Sequence, residues 1–143
     1  MLFSDNRDQL RQMWIDAWNA HKENKPLIPL QIELVNIIQK HPEYISVLES
    51  PDSALQREYL PEMGETNPFL HMAMHQGIHE QLSSNRPQGI KVVYKKLCEK
   101  YGDAHEAEHQ MIECLAESIW EAQRHGHAPD EQRYLMRLKE LLK

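Results

Sequence analysis

The chain has 143 residues, the usual size of a single domain, and we expect one helical domain over residues 1–143. Hydrophobic residues make up 41% and charged residues 27%, a balance typical of globular proteins and too apolar for a disordered chain. The net charge of -6 gives no electrostatic signal for nucleic acid, and no apolar run is long enough to cross a bilayer. We therefore expect neither a nucleic-acid nor a membrane partner.

The N-terminal residues and the cysteines indicate a compartment. Residues 1–8 contain acids and no apolar run, so they resemble neither a signal peptide nor a transit peptide. The two cysteines, Cys98 and Cys114, form neither a disulfide framework nor a zinc-type pair. This pattern predicts a cytoplasmic protein with reduced thiols.

The first half of the chain predicts two long helices and leaves room for a short one. Asp5 is a candidate cap for a helix that runs to about Glu23, with apolar residues at helical spacing. A second amphipathic helix follows over Leu30–Lys40 and ends at His41, because a residue that precedes proline avoids helical dihedrals. Between the prolines at 51 and 61 the pattern allows a short helix over Ser53–Glu58.

The second half has clearer helix boundaries. Thr66 or Asn67 is expected to cap a helix that reaches about Ser84, with Pro68 in its first turn. Three further helices are predicted over Ile90–Tyr101, from the cap Asp103 to His125, and over Asp130–Leu142. Since no segment alternates with a period of two, the sequence predicts an all-α fold, a compact bundle of five or six helices.

Polar residues that can bind a metal lie on the apolar stripes of two predicted helices. On the helix after Asn67 they are His71 and, at the edge of the stripe, His75. On the helix after Asp103 they are His105 and His109, with Glu113 at the margin of the stripe and Glu117 further round. The tryptophans Trp14, Trp18 and Trp120 are predicted to be core anchors.

The predicted topology brings these two sets together. One helix separates the two His-bearing helices, and two reversals through short loops make them parallel. We expect His71, His75, His109 and Glu113 to lie within reach of one point, with His105 and Glu117 as weaker candidate ligands. Imidazole with carboxylate suits zinc or iron, so the sequence predicts a divalent metal site, and a metal-assisted hydrolase or transferase is one function that such a site would allow.

An alternative interpretation needs no metal. Histidine and glutamate on neighbouring helices also form buried hydrogen-bonded networks that fix helix register. The protein would then be a non-enzymatic interaction or structural protein. No nucleotide-binding glycine loop and no nucleophile elbow is present, so other common chemistries have no support.

Segments distributed over nearly the whole chain resemble a bacterial family known as domain of unknown function 1841. The segments are H-P-E-Y from His41, T-N-P-F-L-H from Thr66, P-x-G-I from Pro87, E-C-L from Glu113 and W-E-A-Q-R from Trp120. The resemblance implies a small cytoplasmic bacterial protein and brings no activity and no catalytic residues with it. More loosely, H-x-x-x-H and H-x-x-x-E are similar to pieces of hemerythrin-like and DinB-like metal-binding bundles, although here they come in the opposite order.

Overall fold

The computed structural model of the protein describes residues 7–59 and 67–143. These residues form helices and turns, with no strand among them, so the predicted all-α class is confirmed. The chain divides into two compact units, residues 1–76 and 77–143. That residues 1–143 form a single domain stays a prediction. None of the described helices is both long and apolar enough to cross a membrane.

The described residues contain eight α-helices, so the predicted number of five or six is wrong. They are α1 (Arg7–Lys22), α2 (Pro29–Gln39), α3 (Ile45–Leu48), α4 (Pro51–Gln56), α5 (Pro68–Ser84), α6 (Ile90–Tyr101), α7 (Ala104–His125) and α8 (Glu131–Glu140). Two short helices, α3 and α4, account for the difference. A proline begins a 3₁₀ turn over Pro42–Tyr44, and α3 continues from it. The predicted helix over Ser53–Glu58 is found as α4, which begins earlier, at Pro51.

In the first unit, α1 packs against α2, α3 and α4. Trp14 and Trp18 are buried in its core, as predicted. The buried guanidinium of Arg11 donates hydrogen bonds to the carbonyl oxygens of Ala54 at 2.9 Å and Arg57 at 2.7 Å. These carbonyls lie at the end of α4, where a helix leaves acceptors without intrahelical donors, so Arg11 fastens α4 to α1.

In the second unit, α6, α7 and α8 pack against one another. The Asp103 carboxylate accepts hydrogen bonds from the backbone N–H groups of His105 and Glu106, each at 3.3 Å, so the predicted cap of α7 is confirmed. Gly126 has a φ of 69° and ends α7 in the left-handed conformation that favours glycine.

The cap of α5 is Asn67, whose side-chain oxygen accepts hydrogen bonds from the N–H groups of Phe69 at 3.0 Å and Leu70 at 3.2 Å. The alternative cap Thr66, and the predicted cap Asp5 of α1, lie outside the described residues.

The buried face of α7 differs from the predicted one. Trp120 is 56% exposed and lies 5.2 Å from the guanidinium of Arg124, so its prediction as a core anchor is wrong. The buried positions of α7 are Ala107, Glu108, Met111, Ile112, Cys114, Ser118 and Ala122. This buried stripe is rotated about the helix axis by roughly 100°, which is one residue step, from the predicted stripe, which contains His105, His109 and Trp120. Small side chains therefore face the core where the large indole was expected.

The cap of α7 gives a stability prediction. We expect Asp103→Ala to lower the free energy of unfolding by about 1 kcal/mol, because two backbone N–H groups lose their acceptor. Asp103→Asn should keep most of this stabilisation, because its side-chain oxygen also accepts hydrogen bonds at a helix cap. Urea unfolding measures the difference. Glu113→Ala, at an exposed position of the same helix, is the control. If Asp103→Ala lowers the free energy of unfolding no more than Glu113→Ala does, the cap does not stabilise α7.

Candidate functional site

Three histidines of the first unit lie together and are called the first-unit cluster: His41, His71 and His75. The rings of His71 and His75 are one turn apart on α5, and His41 follows α2. The ring centroids lie 5.1 Å apart for His41 and His71, 4.7 Å for His41 and His75, and 4.8 Å for His71 and His75. His41 and His75 are only 3% and 2% exposed. Two imidazoles of the cluster are therefore buried, and the third, His71, is half-buried.

The nitrogen positions in this cluster are compatible with metal binding. The Nε2 atoms of His71 and His75 are 3.2 Å apart. Two nitrogens bound to one tetrahedral zinc, with bonds of about 2.0–2.1 Å, lie roughly 3.3 Å from each other. A ligand nitrogen of His41 lies within 4.8 Å of one on His75. The nitrogen separation therefore suits binding of one ion by His71 and His75, and His41 lies close enough to His75 to be a candidate third ligand.

A backbone hydrogen bond sets the tautomer of His41. Its Nδ1 lies 2.8 Å from the carbonyl oxygen of Ile37, in the last turn of α2. A carbonyl oxygen only accepts, so Nδ1 carries the hydrogen and a neutral ring keeps a lone pair on Nε2. Metal-binding histidines commonly donate their other N–H to a carbonyl in this way. The Tyr44 ring stacks on His41 with centroids 5.4 Å apart and helps to fix its orientation.

The second unit has its own set of histidines. His105 and His109 are one turn apart on α7, with ring centroids 4.2 Å apart and ligand nitrogens within 4.8 Å. Nearby, Nε2 of His79 lies 2.7 Å from Oε1 of Glu108. The Glu108 side chain is 5% exposed and that of His79 30% exposed. A buried carboxylate therefore pairs with a histidine that reaches solvent.

Tyr94 of α6 lies near the same carboxylate. Burial and a hydrogen bond with Cys98 raise the pKa of Tyr94 to about 12, and the negative charge of Glu108 adds to this rise. The phenol therefore remains protonated at neutral pH. The thiols are free, with Cys98 half-buried and Cys114 buried, as the sequence predicts.

The predicted site residues divide between the two units. His71 and His75 lie together in the first unit, and His105 and His109 lie together in the second. Glu113 and Glu117 are exposed, because the buried face of α7 is rotated away from them. That His71, His75, His109 and Glu113 bind one ion stays a prediction.

Three residues in and next to these clusters were not predicted as site residues from the sequence. His41 lies between helices, where helical periodicity gives no signal, and it was interpreted only as a helix end. Glu108 stands between two histidines in H-x-x-E-H at residues 105–109, and this spacing could have revealed it. His79 could have been noticed as well, because it continues the four-residue spacing of His71 and His75.

The fold and these clusters define an all-α protein that carries histidines in its helical core. The model of the family "Domain of unknown function (DUF1841)" matches residues 6–140. The chain therefore belongs to this family, which confirms the resemblance. Comparisons with curated proteins and with solved structures find no match, so the likeness to hemerythrin-like and DinB-like bundles gains no support.

The geometry of His41 predicts its tautomer in solution. In metal-free protein, we expect long-range ¹H–¹⁵N correlation spectra to show a hydrogen on Nδ1 of His41, because the Ile37 carbonyl accepts it. The exposed ring of His125 is the reference for a side chain without this constraint. A His41 ring protonated at Nε2 alone would contradict the hydrogen bond.

Proposed function

We propose that this protein binds a divalent transition metal through its histidines, with zinc or iron as the ions that suit these donors. The observation that carries the proposal is the first-unit cluster. It combines a 3.2 Å separation of the His71 and His75 Nε2 atoms with a His41 ring whose Nδ1 is fixed by a backbone carbonyl. Three imidazole donors can then bind one ion.

The burial of these rings supports the proposal. Moving a polar group out of water costs free energy unless it gains a comparable interaction inside the protein. A metal ion bonds to the lone pairs of several imidazoles at once, and its binding free energy adds to the stability of the fold. A histidine cluster inside a helical core is therefore a reasonable place for an ion that stabilises the fold.

Three histidine ligands would leave a coordination position for water, as in catalytic zinc sites. This supports the further proposal of a metal-assisted hydrolase or transferase. The sequence pattern also suggests that His109 and Glu113 bind the same ion as His71 and His75. Metal stoichiometry tests this: one ion per chain fits shared ligands, and two ions fit separate sites.

A non-enzymatic role is the second candidate, and one observation favours it. At 3.2 Å, an Nε2–H of one ring can donate a hydrogen bond to Nε2 of the other. In this case the cluster only fixes the register of α5, and the protein is an interaction or structural protein. The two candidates differ in whether metal is found and whether metal changes stability.

We propose a cytoplasmic location and no nucleic-acid partner. Two free cysteines suit a reducing compartment. The net charge of -6 disfavours binding to a phosphate backbone.

Elemental analysis of untagged protein, purified without chelator, tests metal binding. We expect zinc or iron in at least one equivalent per chain in the wild type, and the loss of one equivalent in the double variant His71→Gln, His75→Gln. Zinc at a hundred times its Kd should stabilise the wild type by about 2.7 kcal/mol and the double variant by much less.

Controls make this experiment decisive. His125→Gln changes an exposed histidine outside the clusters and should leave the metal content unchanged. Circular dichroism of each variant verifies that it is folded. A wild type that contains no metal, and whose melting temperature does not respond to added zinc or iron, would overturn the proposal in favour of the structural role.

A further inference from the structure

The start of α7 combines metal-binding and proton-accepting side chains on one helical face. His105 and His109 are one turn apart with ring centroids at 4.2 Å, and Glu108 lies three residues after His105. Residues three and four apart are neighbours on a helix surface. The spacing H-x-x-E-H occurs in one class of zinc hydrolases, in which both histidines bind the ion. The local geometry of α7 therefore suits an ion with a carboxylate next to it.

The carboxylate in this segment is held in place. Glu108 is 5% exposed, and its Oε1 lies 2.7 Å from Nε2 of His79, which is 30% exposed. By contrast, Glu106 and Glu113 of the same helix are exposed. A side chain fixed by burial and by a charge-assisted hydrogen bond keeps one orientation, which a group that accepts a proton from bound water requires.

The charge of the segment indicates the kind of substrate. Residues 103–117 contain the acids Asp103, Glu106, Glu108, Glu113 and Glu117 and neither lysine nor arginine. A phosphate ester is disfavoured at this segment, because one divalent ion and Arg137, 3.8 Å from Glu117, offset the charge of the five carboxylates only in part. A neutral acyl compound is not repelled by the carboxylates.

We propose that Glu108 is the general base for a water molecule bound to a metal ion at His105 and His109, in the hydrolysis of a neutral acyl compound. The inference rests on the proposed metal binding. Water bound to the ion gives a proton to the Glu108 carboxylate, and the resulting hydroxide attacks the acyl carbon. The bond to the leaving group breaks, and the proton passes from Glu108 to that group. His79 is a positioning residue that holds the carboxylate.

The test uses the zinc-loaded full chain and 4-nitrophenyl acetate as the probe. We expect Glu108→Gln and Glu108→Ala to lower the zinc-dependent rate by about 10²- to 10⁴-fold, with zinc content unchanged. Formate should restore part of the rate in Glu108→Ala, where the missing carboxyl leaves room, and not in Glu108→Gln. His79→Gln should reduce the rate less, without rescue by formate. Glu99→Gln, at an exposed glutamate of α6, should match the wild type.

Each result decides for or against the proposal. Rescue of Glu108→Ala by formate supports a base, because a merely structural role would not respond to a small carboxylate. A zinc-loaded wild type that is no faster than free zinc, or a Glu108→Gln variant that retains the wild-type rate, overturns the proposal. In both cases the zinc content, measured separately, still decides whether the chain binds metal. The near-isosteric Glu108→Gln keeps the test decisive if Glu108→Ala does not fold.

Discussion

The burial of imidazole rings is the constraint on which the first unit depends. A buried polar nitrogen without a partner costs about 1–3 kcal/mol, so the surrounding helices must place acceptors and donors correctly. The Ile37 carbonyl meets this need for His41 at 2.8 Å, and it can do so because α2 ends at Gln39. Pro42 then starts a new turn, which presents Tyr44 against the same ring. The path of the chain from α2 to α3 is thus linked to the orientation of one histidine.

The same constraint acts on a carboxylate in the second unit. Glu108 belongs to the buried face of α7, and an ionised side chain there requires an opposite charge or strong hydrogen bonds. His79 provides the contact at 2.7 Å. Both units therefore contain groups that a purely apolar core would not contain. These buried polar groups are the physical reason to expect metal binding or catalysis, and not only packing, from the histidine-rich helices.

Local features of the fold were predictable, because they depend on neighbouring residues. The caps Asn67 and Asp103 act within the first turn of their helices. Their side chains accept hydrogen bonds from backbone N–H groups of that turn, as is usual for these residue types. The four-residue spacing of His71 and His75 likewise guarantees that their rings lie on one helix face. Short helices such as α3, with four residues, have no periodicity to detect.

Tertiary packing explains what the sequence could not show. An amphipathic helix has several overlapping apolar stripes, and the neighbouring helices decide which one is buried. In α7 the stripe of Met111, Ser118 and Ala122 is buried, so Trp120 and Glu113 face solvent. Leu70 of α5 is similarly 48% exposed. The place of His41 in the first-unit cluster depends on tertiary folding, since it lies 30 positions before His71 in the sequence.

The central claim is that imidazoles of this protein bind a metal ion. X-ray absorption spectroscopy of the zinc-loaded chain at the zinc edge tests it most directly. We expect the first coordination shell of zinc to consist of nitrogen ligands at about 2.0–2.1 Å, and the spectrum to show the outer-shell scattering of at least three imidazole rings. A first shell of oxygen alone, without imidazole scattering, would show that zinc binds to surface carboxylates and would contradict the claim.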